Sequence, residues 1–194
     1  MEEKEINPAE SLQLINSMIS TAKNRLADDG VLIVFWGWLV IVAAMFNYIC
    51  IRMNVEWGGA AWLILMPLGG IFSMVYGYRQ NKKEKVKTYI DKYLKYLWIG
   101  FGVSLAITLG FMPFHGVKSS YFFLMLLYGL ATMVSGGLLN FRPLIIGSLF
   151  AFACAVISVF LSDTDQLLCI SAALLCSYVI PGHLLRSRYK SQHV

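Results

Sequence analysis

Long apolar runs, broken by short polar connectors, dominate the chain. Residues 31–51 carry no charge over 21 positions, and residues 57–78 and 96–117 carry none over 22 each. Three more uncharged runs follow: 23 positions at 119–141, then 20 each at 143–162 and 166–185. About 20 mainly apolar residues, rising about 1.5 Å each, carry a helix across the hydrocarbon layer. All 16 basic and all 11 acidic residues lie outside the six runs. The pattern predicts an all-α polytopic membrane protein with six transmembrane helices, at about 31–51, 58–78, 97–114, 120–141, 144–161 and 166–185. They would form three helical hairpins, preceded by an arm over 1–30 and followed by a tail over 187–194.

The arm has a different period. In "NPAESLQLINSMISTAKNRLADDG", Leu12, Ile15, Met18, Ile19, Ala22 and Leu26 fall on one helical stripe. Asn7 is placed to cap this amphipathic helix, Pro8 suits its first position, and Glu10 stands where a capping-box acid belongs. Gly30 is expected to end it just before the first span. The polar face is rich in Ser, Asn, Gln and Thr and poor in Lys, unlike a typical membrane-surface helix. Packing along the mouth of the bundle, or against a protein partner through residues 8–28, is the favoured reading; lipid association remains the alternative. The arm is also too long and too acidic at its start for a cleaved signal peptide, and no A-x-A-like site follows the first run.

Charge then sets the orientation. The stretch "YRQNKKEKVKTYIDKYLKY" (residues 78–96) holds seven of the 16 basic residues. With the N-terminus inside, only Arg52 and Lys118 fall outside, so the positive-inside rule places both termini in the cytoplasm. Val86, Tyr89, Ile90, Tyr93, Leu94 and Leu97 recur at helical spacing through the island, with lysines on the other face. Lys82, Lys83, Lys85, Lys87, Lys92 and Lys95 are thus expected to meet anionic lipid headgroups, each contributing about 1 kcal/mol. The net charge of +5 is explained by topology and comes with no recognition motif, which argues against nucleic acid. The composition agrees: 58 % hydrophobic and 14 % charged, against about 45–50 % and about 25 % in soluble domains.

Glycine and proline punctuate the spans. Gly37, Gly100 and Gly147 lie near the starts of odd spans. Even spans carry "PLGG" (Pro67, Gly69, Gly70), "SGG" (Gly136, Gly137) and "IPGH" (Pro181, Gly182). The spacing suggests three related hairpins, with the even-span residues as kinks or hinges. Small residues at every fourth position, Gly69–Ser73–Gly77 and Gly102–Ala106–Gly110, suit close helix packing. Trp36, Trp38 and Trp98 fall near the inner interface and Trp57 near the outer one.

Candidate chemistry is sparse. No Asp, Glu, Lys or Arg lies in a span core, against the habit of pumps and proton-coupled carriers. The histidines (His115, His183, His193) and four cysteines show no metal-ligand spacing, and no metal or cofactor is expected. A haem-ligating His183 and a Cys50–Cys169 bridge are minor alternatives to a non-ligand histidine and inert thiols. There is no G-x-S-x-G, no P-loop and no dinucleotide fingerprint. No catalytic constellation is found, which favours a non-enzymatic sensor, regulator or assembly partner. The rival is a small transporter of a neutral or amphipathic solute, with a cavity between spans 2, 4 and 6 contacted by Ser73, Ser135, Asn140 and His183. An enzyme using His183 ranks third.

Through "WGWLV", "KVKTYIDKYLKYLWIGFG", "SGGLLNFRPLIIG" and "YVIPGHLLRSRYK", most of the chain resembles a group of small, uncharacterised six-span inner-membrane proteins of Bacteroidetes-type bacteria. The resemblance implies a location in the cytoplasmic membrane and the company of small winged-helix transcription regulators. It carries over no functional residue.

Overall fold

A computed structural model describes residues 8–83 and 89–191, with side chains for 30–79 and 92–187. Asn7, Lys85, Lys87 and His193 lie outside the described residues. Within them the chain is helical throughout, without a strand. α1 spans Pro8–Arg52 and a short 3-10 turn covers Glu56–Gly59; α2 (Ala60–Lys83), α3 (Tyr89–Gly110), α4 (Met112–Leu138) and α5 (Arg142–Ser158) follow. α6 (Asp163–Leu174) passes through a π-helical turn, Leu175–Val179, into α7 (Ile180–Ser191).

Five stretches are long and apolar enough to cross a membrane: Gly30–Arg52, Glu56–Arg79, Lys92–Gly110, Met112–Leu138 and Asp163–Ser187. α5 is apolar but has only 17 residues. Bonds from the Val159, Phe160 and Leu161 N–H groups to carbonyls three residues back continue its coil in tighter form.

α6 and its π turn form the centre of the bundle. They pack against α1 on one side and α5 on another, with α4 behind, while α7 continues along α1. Val40 and Ala44 of α1, Met125 of α4, Ala151 and Ala155 of α5, and Ile170 and Leu174 of α6 make the core. α2 lies along α1 and α3 along α4. Both outer helices leave large apolar side chains uncovered, among them Leu63, Met74, Val103 and Ile107. Such faces suit hydrocarbon, whereas in water they would form a patch beyond what soluble monomers expose.

Gly30 does not end the arm helix: α1 runs through it for 45 residues. The glycine instead permits a close approach. A Cβ there would stand 3.5 Å from Leu185 Cδ2 and 3.6 Å from the Gly182 carbonyl oxygen. Two helix ends, those of α1 and α4, come from asparagine. Asn54 and Asn140 take left-handed φ of 55° and 48°. Each is followed by a residue whose N–H reaches five residues back: Val55 to Cys50 O at 2.8 Å and Phe141 to Gly136 O at 2.9 Å. Both are Schellman terminations, with Asn where Gly is more usual. Gly116, at φ 84° and ψ 162°, breaks α4 after its first turn, a conformation closed to other residues.

Candidate functional site

The π turn is the most unusual feature of the core. The Ile180 N–H donates to the Leu175 carbonyl, five residues back. Pro181 follows and has no N–H to give. The Cys176 carbonyl therefore loses both helical donors: its α-helical partner, Ile180, is committed to Leu175, and its π-helical partner would be Pro181. This carbonyl faces α5. A Cβ on Gly147 would lie 2.5 Å from the Cys176 oxygen and 2.8 Å from the Ser177 Cα. Only a residue without a side chain lets the two backbones meet there. The freed oxygen faces the Gly147 Cα, where a Cα–H···O contact contributes about 0.5–1 kcal/mol.

α1 closes the opposite side of the turn. A Cβ on Gly37 would stand 2.9 Å from both Tyr178 Cβ and Val179 Cγ2. One turn further along, Gly182 accepts Val34 of α1, whose Cγ2 would be 2.6 Å from an added Cβ. α1 thus follows the π turn and α7 through three glycines, Gly37, Gly182 and Gly30, down to the point where the arm begins.

Tyr178 fills the centre. It is 1 % exposed, and its ring meets Tyr128 edge-on at 5.5 Å. Tyr128 leans on Phe101 of α3 at 5.3 Å. The Tyr178 hydroxyl is buried without a hydrogen-bond partner, a state that costs about 1–3 kcal/mol. Neighbouring hydroxyls are satisfied within their own helices. Ser177 Oγ donates to the Ala173 carbonyl at 2.7 Å, and Thr132 Oγ1 to the Tyr128 carbonyl at 2.8 Å.

The four polar residues singled out from the sequence are not brought together. Ser73 accepts from Trp36 Nε1 at 2.8 Å, joining α2 to α1. Ser135 is buried on α4 with no partner. Asn140 is exposed in the αL turn after α4, and His183 is exposed on α7. Among the described residues α2 makes no packed seam with α4, α6 or α7.

The glycines and prolines divide by surroundings. Gly69 sits against Leu39 and Trp36, and Gly136 against Leu144 and Ile145 at the α4–α5 crossing. Gly70, Gly77, Gly100, Gly102, Gly110 and Gly137 meet nothing within 4 Å. The repeated odd-span glycines therefore have unequal surroundings: Gly37 and Gly147 clasp the π turn, and Gly100 faces outward. Pro67 stands inside α2 without ending it. Of the basic island, Arg79, Lys92 and Lys95 are exposed, and Lys82 and Lys83 form the last residues of α2.

Two features were not anticipated. The π turn is one; its signal was Pro181 deep in an apolar run, which demands local rearrangement of the helix before it. The other is Gln166, fully buried at the start of α6, whose Nε2 donates to the Ser158 carbonyl at 2.7 Å and ties α6 to the end of α5. Nearby, Ser162 caps α6 by accepting from the Asp165 N–H. All four cysteines are free, and Cys169 donates to the Cys154 carbonyl at 3.3 Å, away from Cys50. Among the described residues no three His, Cys, Asp or Glu side chains are grouped to hold a metal. Close glycine contacts thus join α1, α5 and α6–α7 around the π turn.

No protein-family profile, curated protein or solved structure matches the chain.

Proposed function

We propose that this chain is a six-span protein of the bacterial cytoplasmic membrane, with both termini inside. On this reading it is a non-enzymatic sensor or regulator whose cytoplasmic arm reports on the membrane core. The observation that carries the reading is the unbroken α1. Its 45 residues unite the arm with the span that clasps the π turn. At about 1.5 Å per residue such a helix is about 68 Å long. Contacts at Gly37, Gly182 and Gly30 are close-packed, so a tilt or rotation of the arm displaces Tyr178 and α7 rather than being absorbed. The reverse also follows, since coupling between two sites is reciprocal.

The sixth span in this reading is α5 with its tight extension to Leu161. The orientation is supported by the gathering of basic residues at one set of helix ends. The stripe through Leu12, Ile15, Met18, Ile19, Ala22 and Leu26 would be the partner-binding face.

Deleting residues 1–27 tests the proposal. The shortened chain should still insert in the membrane but lose its protein partners in a pull-down from crosslinked cells. An unchanged set of partners would overturn the assignment of the arm.

A further inference from the structure

α2 and α3 follow one another in the chain yet pack on different helices, one along α1 and the other along α4. Among the described residues no packed seam joins them. Both reach the same core: Trp62 and Met66 from α2, Phe101 and Leu105 from α3. Toward the end of α2 lies an open groove of about 530 Å³, lined by Met74, Val75, Tyr78 and Arg79. Its lining is apolar but for the Tyr78 hydroxyl and the Arg79 guanidinium. Lys92 and Lys95, at the start of α3, are both exposed. Only five residues separate Lys83 from Tyr89, so the two basic helix ends stand within about 22 Å of each other.

A hydrocarbon groove ending in an arginine, at the end of a membrane-spanning helix, complements one kind of molecule. We propose that it seats a single anionic phospholipid, an acyl chain along Met74 and Val75 and the phosphate at Arg79. A guanidinium matches phosphate oxygens in a bidentate geometry. The exposed lysines at the nearby start of α3 add positive charge that disfavours a headgroup carrying its own cation. The site concerns α2 and α3, so it stands or falls independently of the arm.

The test is native mass spectrometry of the full chain in detergent, titrated with dioleoyl-phosphatidylglycerol or dioleoyl-phosphatidylcholine. The first phosphatidylglycerol should bind at least about fivefold more tightly than phosphatidylcholine, as about 1 kcal/mol per basic group requires. Arg79→Gln should weaken it by about fivefold. Val75→Trp, which fills the groove and keeps every charge, should weaken it to a similar degree. Arg186→Gln removes an exposed cation on α7, which makes no packed seam with α2 among the described residues, and should leave it unchanged. All three side chains are exposed, so the variants should fold, as unchanged gel-filtration profiles would verify. Equal affinity for the two lipids would overturn the proposal. So would unaltered binding by Val75→Trp, or equal losses in Arg79→Gln and Arg186→Gln, which would mark diffuse surface attraction.

Discussion

Gly147 and Cys176 meet backbone to backbone: a methyl group on the glycine would lie 2.5 Å from the Cys176 carbonyl oxygen. The contact exists because Pro181 deprives that carbonyl of a donor and the π turn pushes it toward α5. Gly147→Ala should therefore force α5 away from α6, with a loss of about 1–3 kcal/mol. Thermal unfolding of the purified protein in detergent should show a clear drop in midpoint. Gly102→Ala, on the open face of α3, should leave the midpoint unchanged or raise it, since alanine is the better helix former by about 1 kcal/mol.

Tyr178 offers a test of a different kind. Its hydroxyl is buried without a partner, so Tyr178→Phe should be neutral or stabilising. Tyr178→Ala empties the centre of the bundle and should cost about 3–5 kcal/mol, the range for large aromatic truncations. A Phe variant less stable than the parent by more than about 1 kcal/mol would mean that the hydroxyl holds something in place.

The bond from Trp36 to Ser73 holds α2 on α1. Ser73→Ala should cost about 0.6–2 kcal/mol, the span measured for hydrogen bonds between membrane helices. In a double-mutant cycle with Trp36→Phe the losses should be less than additive, because both changes delete one bond. Full additivity would show that the bond contributes nothing.

Asn140 terminates α4 in a left-handed conformation. Asn140→Gly should be tolerated, while Asn140→Val should cost about 1–2 kcal/mol, because a β-branched side chain fits left-handed backbone poorly and lacks the local hydrogen bonding by which asparagine tolerates it. Unfolding midpoints of the two variants decide the point.

The residues fall into two groups by how readily the sequence disclosed them. Apolar runs of 20 or more residues leave little choice but helix, so the helical class and most span positions were legible. Span ends were less so. Gly30 looked like a stop because glycine usually terminates helices, but here its missing side chain serves packing against α7. Asn140 looked like a cavity group, yet its rule as a helix terminator was available: an Asn two residues before a basic residue and three before Pro143. The clasp of Gly37 and Gly147 on the π turn was out of reach. Their spacing marked them as special, but which helix they face depends on the order of packing, and a repeat in sequence is not a repeat of neighbours: Gly100 occupies the matching position and faces open space.

The continuity of α1 through Gly30 is what joins arm to core. Spin labels at Ser20 and Val42, in a chain whose four cysteines are replaced by serine, measure it by pulsed electron resonance. The 22 intervening steps of an unbroken helix place the backbones about 33 Å apart. A single narrow distribution near that distance is the expected result. A broad distribution, or a mean shorter by about 10 Å or more, would mean that the helix breaks at Gly30 and that the arm moves independently of the core.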